Sequence, residues 1–332
     1  MRVLVTGVAG YVGSVCAEVC VSAGHQVVGY DNLEEGHLAA VPNGVSFIRG
    51  DLGDVERLDF LFRHFRPDAV MHFANAATVP ESMEKPEKFL RVNVAYGGFL
   101  VETMLRHKVK KLIYSSSAAV YGEPETVPIT EEHSTRPVNL YGQTKLMFEE
   151  LLRWHSSVHG LSWTGLRYFN AAGASPRLGE AHRRETHIIP LLLEVALGRQ
   201  PVFEIYGTDY ETRDGTCIRD YVHVLDIAQA HLTALSRLDG SSAEVFNVGT
   251  GQGNSVAEVI ETVREVSGRP IPVREGARRA GDPAVLVASG ERIGRMLGWA
   301  PRFSLRETVG SAWSWKVNHP DGYGVDEAAE KP

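Results

Sequence analysis

The chain has 332 residues, 43% hydrophobic and 23% charged, with a formal net charge of −7 at neutral pH. That length supports one large α/β domain, or a large domain with a smaller partner, and the proportions are those of a globular protein rather than a disordered or fibrous one. The acidic balance argues against a nucleic-acid surface, and no apolar run is long enough to span a membrane.

The opening segment MRVLVTGVAGYVGSVCAEVCVSAG is apolar, but Gly7, Gly10, Gly13 and Glu18 interrupt it, so it does not read as a signal peptide. Short apolar runs then alternate with helical patterns. RVLVTG, HQVVGYD, VSFIRGD, DAVMHFA, KLIYSS and WTGLRYF predict strands, while VGSVCAEVCVSAG, VERLDFLFRHF and EKFLRVNVAYGGFLVETMLRH carry helical spacing. This is the pattern of a Rossmann-type, doubly wound parallel α/β sheet. Residues 1–173 are expected to form that domain, rejoined by part of about 218–250. Residues 174–324 are expected to form mainly a smaller C-terminal α/β domain, and 325–332 a frayed tail. Beyond Asn170 the stretches AAGASPRLGEAHRRETH and EIYGTDYETRDGTCIRD predict long loops rather than more sheet. Ser255 and Glu258 form a capping box ahead of VIETVREVSG.

Gly7, Gly10 and Gly13 form G-x-x-G-x-x-G after the first predicted strand and at the mouth of the first helix. Glycines there let backbone approach a pyrophosphate, whose charge lies against the helix N-terminus. Asp31 ends the second strand, where a carboxylate accepts from both adenosine ribose hydroxyls and repels a 2′-phosphate; this favours NAD over NADP. Asp51 and Leu52 would flank the adenine. A second glycine cluster, Gly249, Gly251 and Gly253, lacks the full fingerprint and reads as a structural loop.

Tyr141 and Lys145 form Y-x-x-x-K in a helical segment, one turn apart on one face. A neighbouring ammonium and a cationic nicotinamide would lower the phenol toward a base usable near neutrality. Ser115, Ser116 and Ser117 end a predicted strand at the carboxyl edge, where open α/β sheets bind ligands. Cys16, Cys20 and Cys217 make no disulfide framework, and no Cys/His spacing suggests zinc, so no metal and a reducing cytoplasm are expected.

TGVAGYVG, SSSAAVYG, YGQTK and RYFNAAGA resemble the extended short-chain dehydrogenase/reductase family. IYGTDYETRDGTCIRDYVHVLDIA, RRAGDPAVLVAS and the closing W-x-W-x-x-x-HPDGY are similar to its UDP-glucose/UDP-galactose 4-epimerase branch; the likeness runs from Met1 to about Gly324. The resemblance implies a tightly bound NAD and transient oxidation at carbon 4 of a UDP-hexose. Tyr141 would be the base, Lys145 would bind the nicotinamide ribose and lower the base's pKa, and Ser117 would assist proton transfer. Cofactor contacts would also involve Tyr11, Val12, Asn32, Phe73, Ala74, Asn93, Ser115 and Tyr168. Phe169, Asn170, His187, Tyr206, Arg219, Arg279, Asp282 and Leu286 would meet the nucleotide-sugar. Arg219 has a second reading as an ion-pair partner of Asp220, and Arg278 with Arg279 as a solvated pair. Ala77 stands where some members carry a phosphate-binding lysine, and Leu286 at a position that gates sugar size. A homodimer is implied too. UDP-N-acetylhexosamine, UDP-pentose or UDP-uronate epimerisation on the same machinery, and a non-catalytic NAD-sensing regulator, are the alternatives.

Overall fold

The computed structural model describes residues 1–324 except 239, 241, 280 and 281. Six strands lie where the sequence predicts them: β1 (Arg2–Thr6), β2 (Gln26–Asp31), β3 (Val45–Arg49), β4 (Ala69–His72), β5 (Lys111–Ser117) and β6 (Ser162–Tyr168). Between them run α1 (Tyr11–Ser22), α2 (Val55–Phe65), the short α3 (Val79–Glu84) and α4 (Pro86–Phe89), α5 (Gly97–Arg106) and α6 (Leu140–His159). Helix was expected throughout 87–107. The chain does stay helical there, but Leu90–Tyr96 widens to π winding between α4 and α5. Such turns gather at functional sites.

After β6 come β7 (Asn170–Ala172), α7 (Ile188–Ala196), β8 (Phe203–Tyr206), β9 (Ile218–His223), α8 (Val224–Arg237) and β10 (Ala243–Val248). The chain closes with β11 (Gly253–Ser255), α9 (Val256–Ser267), β12 (Val273–Gly276), β13 (Val285–Leu286), α10 (Glu291–Leu297) and α11 (Leu305–Asn318). The expectation of loops rather than sheet beyond Asn170 is corrected here. The EIY of EIYGTDYETRDGTCIRD lies in β8 and its IRD in β9, because β9 is paired by β7, β11 and β13, and β8 by β12. Pairing partners that distant leave no local periodicity to read.

The main sheet has order β10-β6-β5-β4-β1-β2-β3, all parallel. Alternation along β1 shows why both faces are covered: Val3 and Val5 pack with α1 and α8, while Leu4 packs with α2 and α5 on the other side. Strand order reverses between β1 and β4, and the loops leaving their carboxyl ends diverge into a crevice. The second region has its own core of α7, α9, α11, β8 and β9. Both Ser255 and Ser304 head capping boxes; the first was legible in sequence. No described helix is long and apolar enough to cross a membrane.

Candidate active site

At the crevice the three fingerprint glycines do different work. Gly7 has φ +74°, and a Cβ on it would lie 2.5 Å from the Ala74 amide nitrogen and 2.6 Å from the Phe73 carbonyl carbon; it allows the loops after β1 and β4 to touch. A Cβ on Gly13 would lie 2.1 Å from the Gly7 oxygen. Gly10, the N-cap of α1, would meet only that oxygen, at 3.4 Å. Nothing within the protein therefore demands glycine at 10, and the space in front of it opens at a helix N-terminus whose first N–H groups have no intrahelical acceptor. On the loop after β4, one residue beyond the Ala74 that meets Gly7, the Asn75 side-chain amide is buried with no hydrogen-bond partner in the protein. An open cradle and an orphaned amide are what a dinucleotide would complete, so the residues fit NAD.

Asp31 accepts from Ala9 N at 3.0 Å and Leu33 N at 2.8 Å. Burial raises its pKa, and those two N–H groups oppose the rise. Asp51 is fixed from three sides: Asn32 Nδ2 donates to it at 2.7 Å, Gly53 N at 2.7 Å, and the Tyr30 hydroxyl donates to its carbonyl at 2.9 Å. Leu52 packs beneath it against Tyr30 and Leu58, Val12 packs on the β1 core, and the Tyr11 hydroxyl donates to Gly173 O at 2.6 Å. Asn93 is fully buried. It accepts from Ala76 N and donates to Ala76 O and Thr144 Oγ1 at 2.8–3.0 Å, which ties the loop after β4 to α6 and uses the side chain within the protein.

Asn139 caps α6 through Gly142 N at 2.8 Å, placing Tyr141 in its first turn. There the helix dipole favours phenolate. A Cβ on Gly142 would lie 2.3 Å from Ala119 O, so glycine lets this turn press onto the end of β5. Spacing in the sequence does not mark that residue as part of the site, although it adjoins the tyrosine. Ser117 accepts from Ala119 N at 3.2 Å, and its hydroxyl lies near enough to Tyr141 to ease ionisation of that phenol. Lys145 is buried, donates to Ser115 O at 2.7 Å, and holds its ammonium 5.5 Å from the Tyr141 ring.

Burial pushes Tyr141 up, with Ser117 opposing, and burial draws Lys145 down to about 7 against the pull of Glu149. The expected lowering of Tyr141 is thus not a property of the protein groups by themselves: a desolvated phenol beside a half-charged amine ionises reluctantly. Lowering it requires a further positive charge at the site. Tyr168, also buried, donates to His231 Nε2 at 2.6 Å; His231 Nδ1 must donate to Ile227 O at 2.9 Å, which fixes the tautomer. Behind β5 lies a buried network that has no signature in the sequence. Arg167 donates to both oxygens of Glu149 at 2.9 and 2.6 Å, and Ser116 donates to Glu149 at 2.6 Å. Only the i,i+4 spacing of Lys145 and Glu149 hinted at it.

Across the crevice, four expected nucleotide contacts come together. Arg219 donates to Asp282 at 2.9 Å, the Arg279 guanidinium lies 3.9 Å above the Tyr206 ring, and Asp282 N donates to Arg279 O. Pairing of Arg219 with Asp220 is overturned. Successive strand residues face opposite ways, and Asp220 instead accepts from Thr250 N, Gly251 N and Ala288 N, folding the Gly249–Gly253 loop. That glycine cluster is structural, as expected. Arg278 departs from Arg279 to stack on Tyr210. Phe169 and Leu286 meet in one apolar patch with Ala118 and Leu146, next to Ser117 and Lys145 in the chain; Asn170 begins β7, and Ala77 is exposed. His187 lies apart in an ion-pair cluster with Glu180 and Glu185.

A doubly wound sheet with a glycine fingerprint, a serine and Y-x-x-x-K at one sheet edge defines a dinucleotide-dependent enzyme acting on a hydroxyl-bearing ligand. The model of the NAD dependent epimerase/dehydratase family matches residues 3–249, and the chain belongs to that family. It is 47% identical over 331 residues to the UDP-glucose 4-epimerase of Halalkalibacterium halodurans, with 98% of each chain covered. A solved UDP-glucose 4-epimerase superposes with a TM-score of 0.95 at 45% identity, covering 98% of this chain and 100% of that one. The Bifidobacterium longum UDP-glucose 4-epimerase in complex with NAD+ and UDP superposes at 0.93 with 35% identity, covering 97% and 100%.

Proposed function

We propose that the chain is an NAD-dependent UDP-glucose 4-epimerase, interconverting UDP-glucose and UDP-galactose. The observation that carries this is the meeting of Ser117, Tyr141 and Lys145 at the carboxyl end of β5, where Leu286, the register partner of Arg219, joins the apolar patch of Ala118 and Leu146. NAD held by the Gly10 turn, Asp31 and Lys145 would supply the acceptor and then the donor of the carbon-4 hydride, so that the sugar passes through a 4-keto stage.

The chain's own residues manage the proton and the grip. Tyr141 takes the proton from the 4-hydroxyl and returns it, Ser117 aligns that hydroxyl, and Lys145 stabilises the phenolate. Arg219 and Arg279 suit paired phosphate oxygens, anchoring the nucleotide while the hexose turns over. The sugar end meets Phe169 and Leu286, apolar walls that hold no single orientation. A second copy of the chain is assigned to the outer face of α6, which leaves Trp154 72% and Val158 67% exposed. Three free cysteines accord with a reducing cytoplasm.

The test is incubation of purified protein, without added NAD, with UDP-glucose, UDP-N-acetylglucosamine, UDP-xylose and UDP-glucuronate, with products identified by NMR. Conversion of UDP-glucose to UDP-galactose is expected; turnover of only another sugar would move the assignment within the family's chemistry. Turnover of none would favour a regulator, a reading that retention of both Tyr141 and Lys145 disfavours.

A further inference from the structure

We propose that Glu180, His182, Glu185 and His187 form a binding site for one divalent transition-metal ion of the zinc class, which fastens the segment between β7 and α7. E-x-H-x-x-E-x-H sits in a stretch without helical or strand period, so its spacing alone does not mark a metal site, and none is expected from it. Folding brings one ligand atom from each of the four within 4.8 Å of the others. Glu180 Oε1 lies 3.0 Å from His182 Nδ1 and 2.9 Å from His187 Nδ1; Glu185 Oε1 lies 2.8 Å from His187 Nδ1, and Oε2 lies 3.7 Å from His182 Nδ1. Tetrahedral zinc with bonds of about 2.0–2.1 Å holds its ligand atoms about 3.3 Å apart. The four His–carboxylate separations bracket that value, and closing on an ion draws the remaining pairs in from at most 4.8 Å.

Two imidazoles and two carboxylates are a borderline donor set suited to zinc or cobalt, whereas magnesium and calcium call for six or more oxygens. Four protein ligands leave no open position, which is the form of a structural site. The frame is held in place. Gly179 lies under Trp315, where a Cβ would come within 2.2 Å of the indole, and Gly179 N donates to the Tyr323 hydroxyl at 3.0 Å. Glu185 Oε1 also accepts from Thr186 N and His187 N at 2.7 Å each. A cavity of about 100 Å³, lined by Glu180, His182, Glu185, Trp315 and Lys316, gives a route in.

The full-length protein, treated with chelator and dialysed, is titrated with Zn²⁺, Co²⁺ and Mg²⁺ by calorimetry, with bound metal measured after equilibrium dialysis. One Zn²⁺ per chain, the visible bands of tetrahedral Co²⁺, a raised Tm and no saturable Mg²⁺ binding are expected. His182→Gln and Glu180→Gln should each weaken zinc by about 100-fold or more, since even neighbours of metal ligands cost 10- to 100-fold. His155→Gln, on the surface of α6, should not. Circular dichroism verifies that each variant is folded. Absent stoichiometric zinc binding, binding undiminished in both folded variants, or an octahedral Co²⁺ spectrum in the wild-type protein would each overturn the proposal.

Discussion

The two walls of the crevice are built by different means. The wall at β1, β4 and β5 is made of backbone: glycine turns, strand ends and the first turn of α6, with side chains locked by hydrogen bonds to other segments, as Lys145 is to Ser115 and Asn93 to Thr144. The opposite wall is made of side chains, Arg219 from β9, Tyr206 from the end of β8, Arg279 and Asp282 from the connection before β13, held by one ion pair and one ring stack. Rigidity on one side and adjustable polar groups on the other suit a firmly held cofactor and a ligand whose sugar must reorient. The contrast can be tested wall by wall.

Lys145→Met strikes the rigid wall hardest and should lower kcat on the order of 10²–10³-fold. Its stability effect runs the other way. Lysine ordinarily titrates near 10.5 and Lys145 falls to about 7, so between these values the unfolded chain holds a proton that the folded chain has released. Stability should rise with pH across that window, and below it the buried ammonium is a standing cost. Below pH 7 the Lys145→Met protein should therefore melt at or above the wild-type temperature, as scanning calorimetry would record; a lower Tm there would contradict the burial argument.

Gly10→Ala is the next largest. Because a Cβ at 10 meets almost nothing in the protein, the fold should keep its Tm while retained NAD, read by absorbance after denaturation, drops about tenfold or more. On the adjustable wall, Arg219→Met should raise KM for UDP-glucose by about 10- to 100-fold with kcat little changed, the signature of binding lost equally in ground and transition states. A fall in kcat alone would place Arg219 in the chemistry instead. Smallest is Leu286→Ala, which should move the ratio of kcat/KM for UDP-N-acetylglucosamine over UDP-glucose upward by severalfold, since widening an apolar wall by a few methylenes is worth about 1–3 kcal/mol.

Legibility in sequence followed the same divide. The six strands, the glycine fingerprint, Asp31, Ser117 and Tyr141 with Lys145 were all readable because local periodicity or fixed spacing encodes them. β8 and β9 were not, since their pairing partners lie far along the chain. Gly142 went unnoticed because its role is a steric clearance with Ala119, and the Arg167–Glu149–Ser116 network because buried polar groups leave no period. Asp220 shows the remaining gap: adjacency to Arg219 suggested an ion pair, and strand alternation sends the two side chains to opposite faces. The Glu180–His187 cluster became visible only when a loop folded back on itself.

The proton role assigned to Tyr141 can be measured directly. Tyr141→Phe removes one oxygen from the site and leaves the Gly10 turn, Asp31 and Lys145 in place, so kcat for UDP-galactose should fall on the order of 10³-fold or more while NAD content stays at the wild-type level. Turnover within a fewfold of wild type, with NAD still bound, would contradict the account.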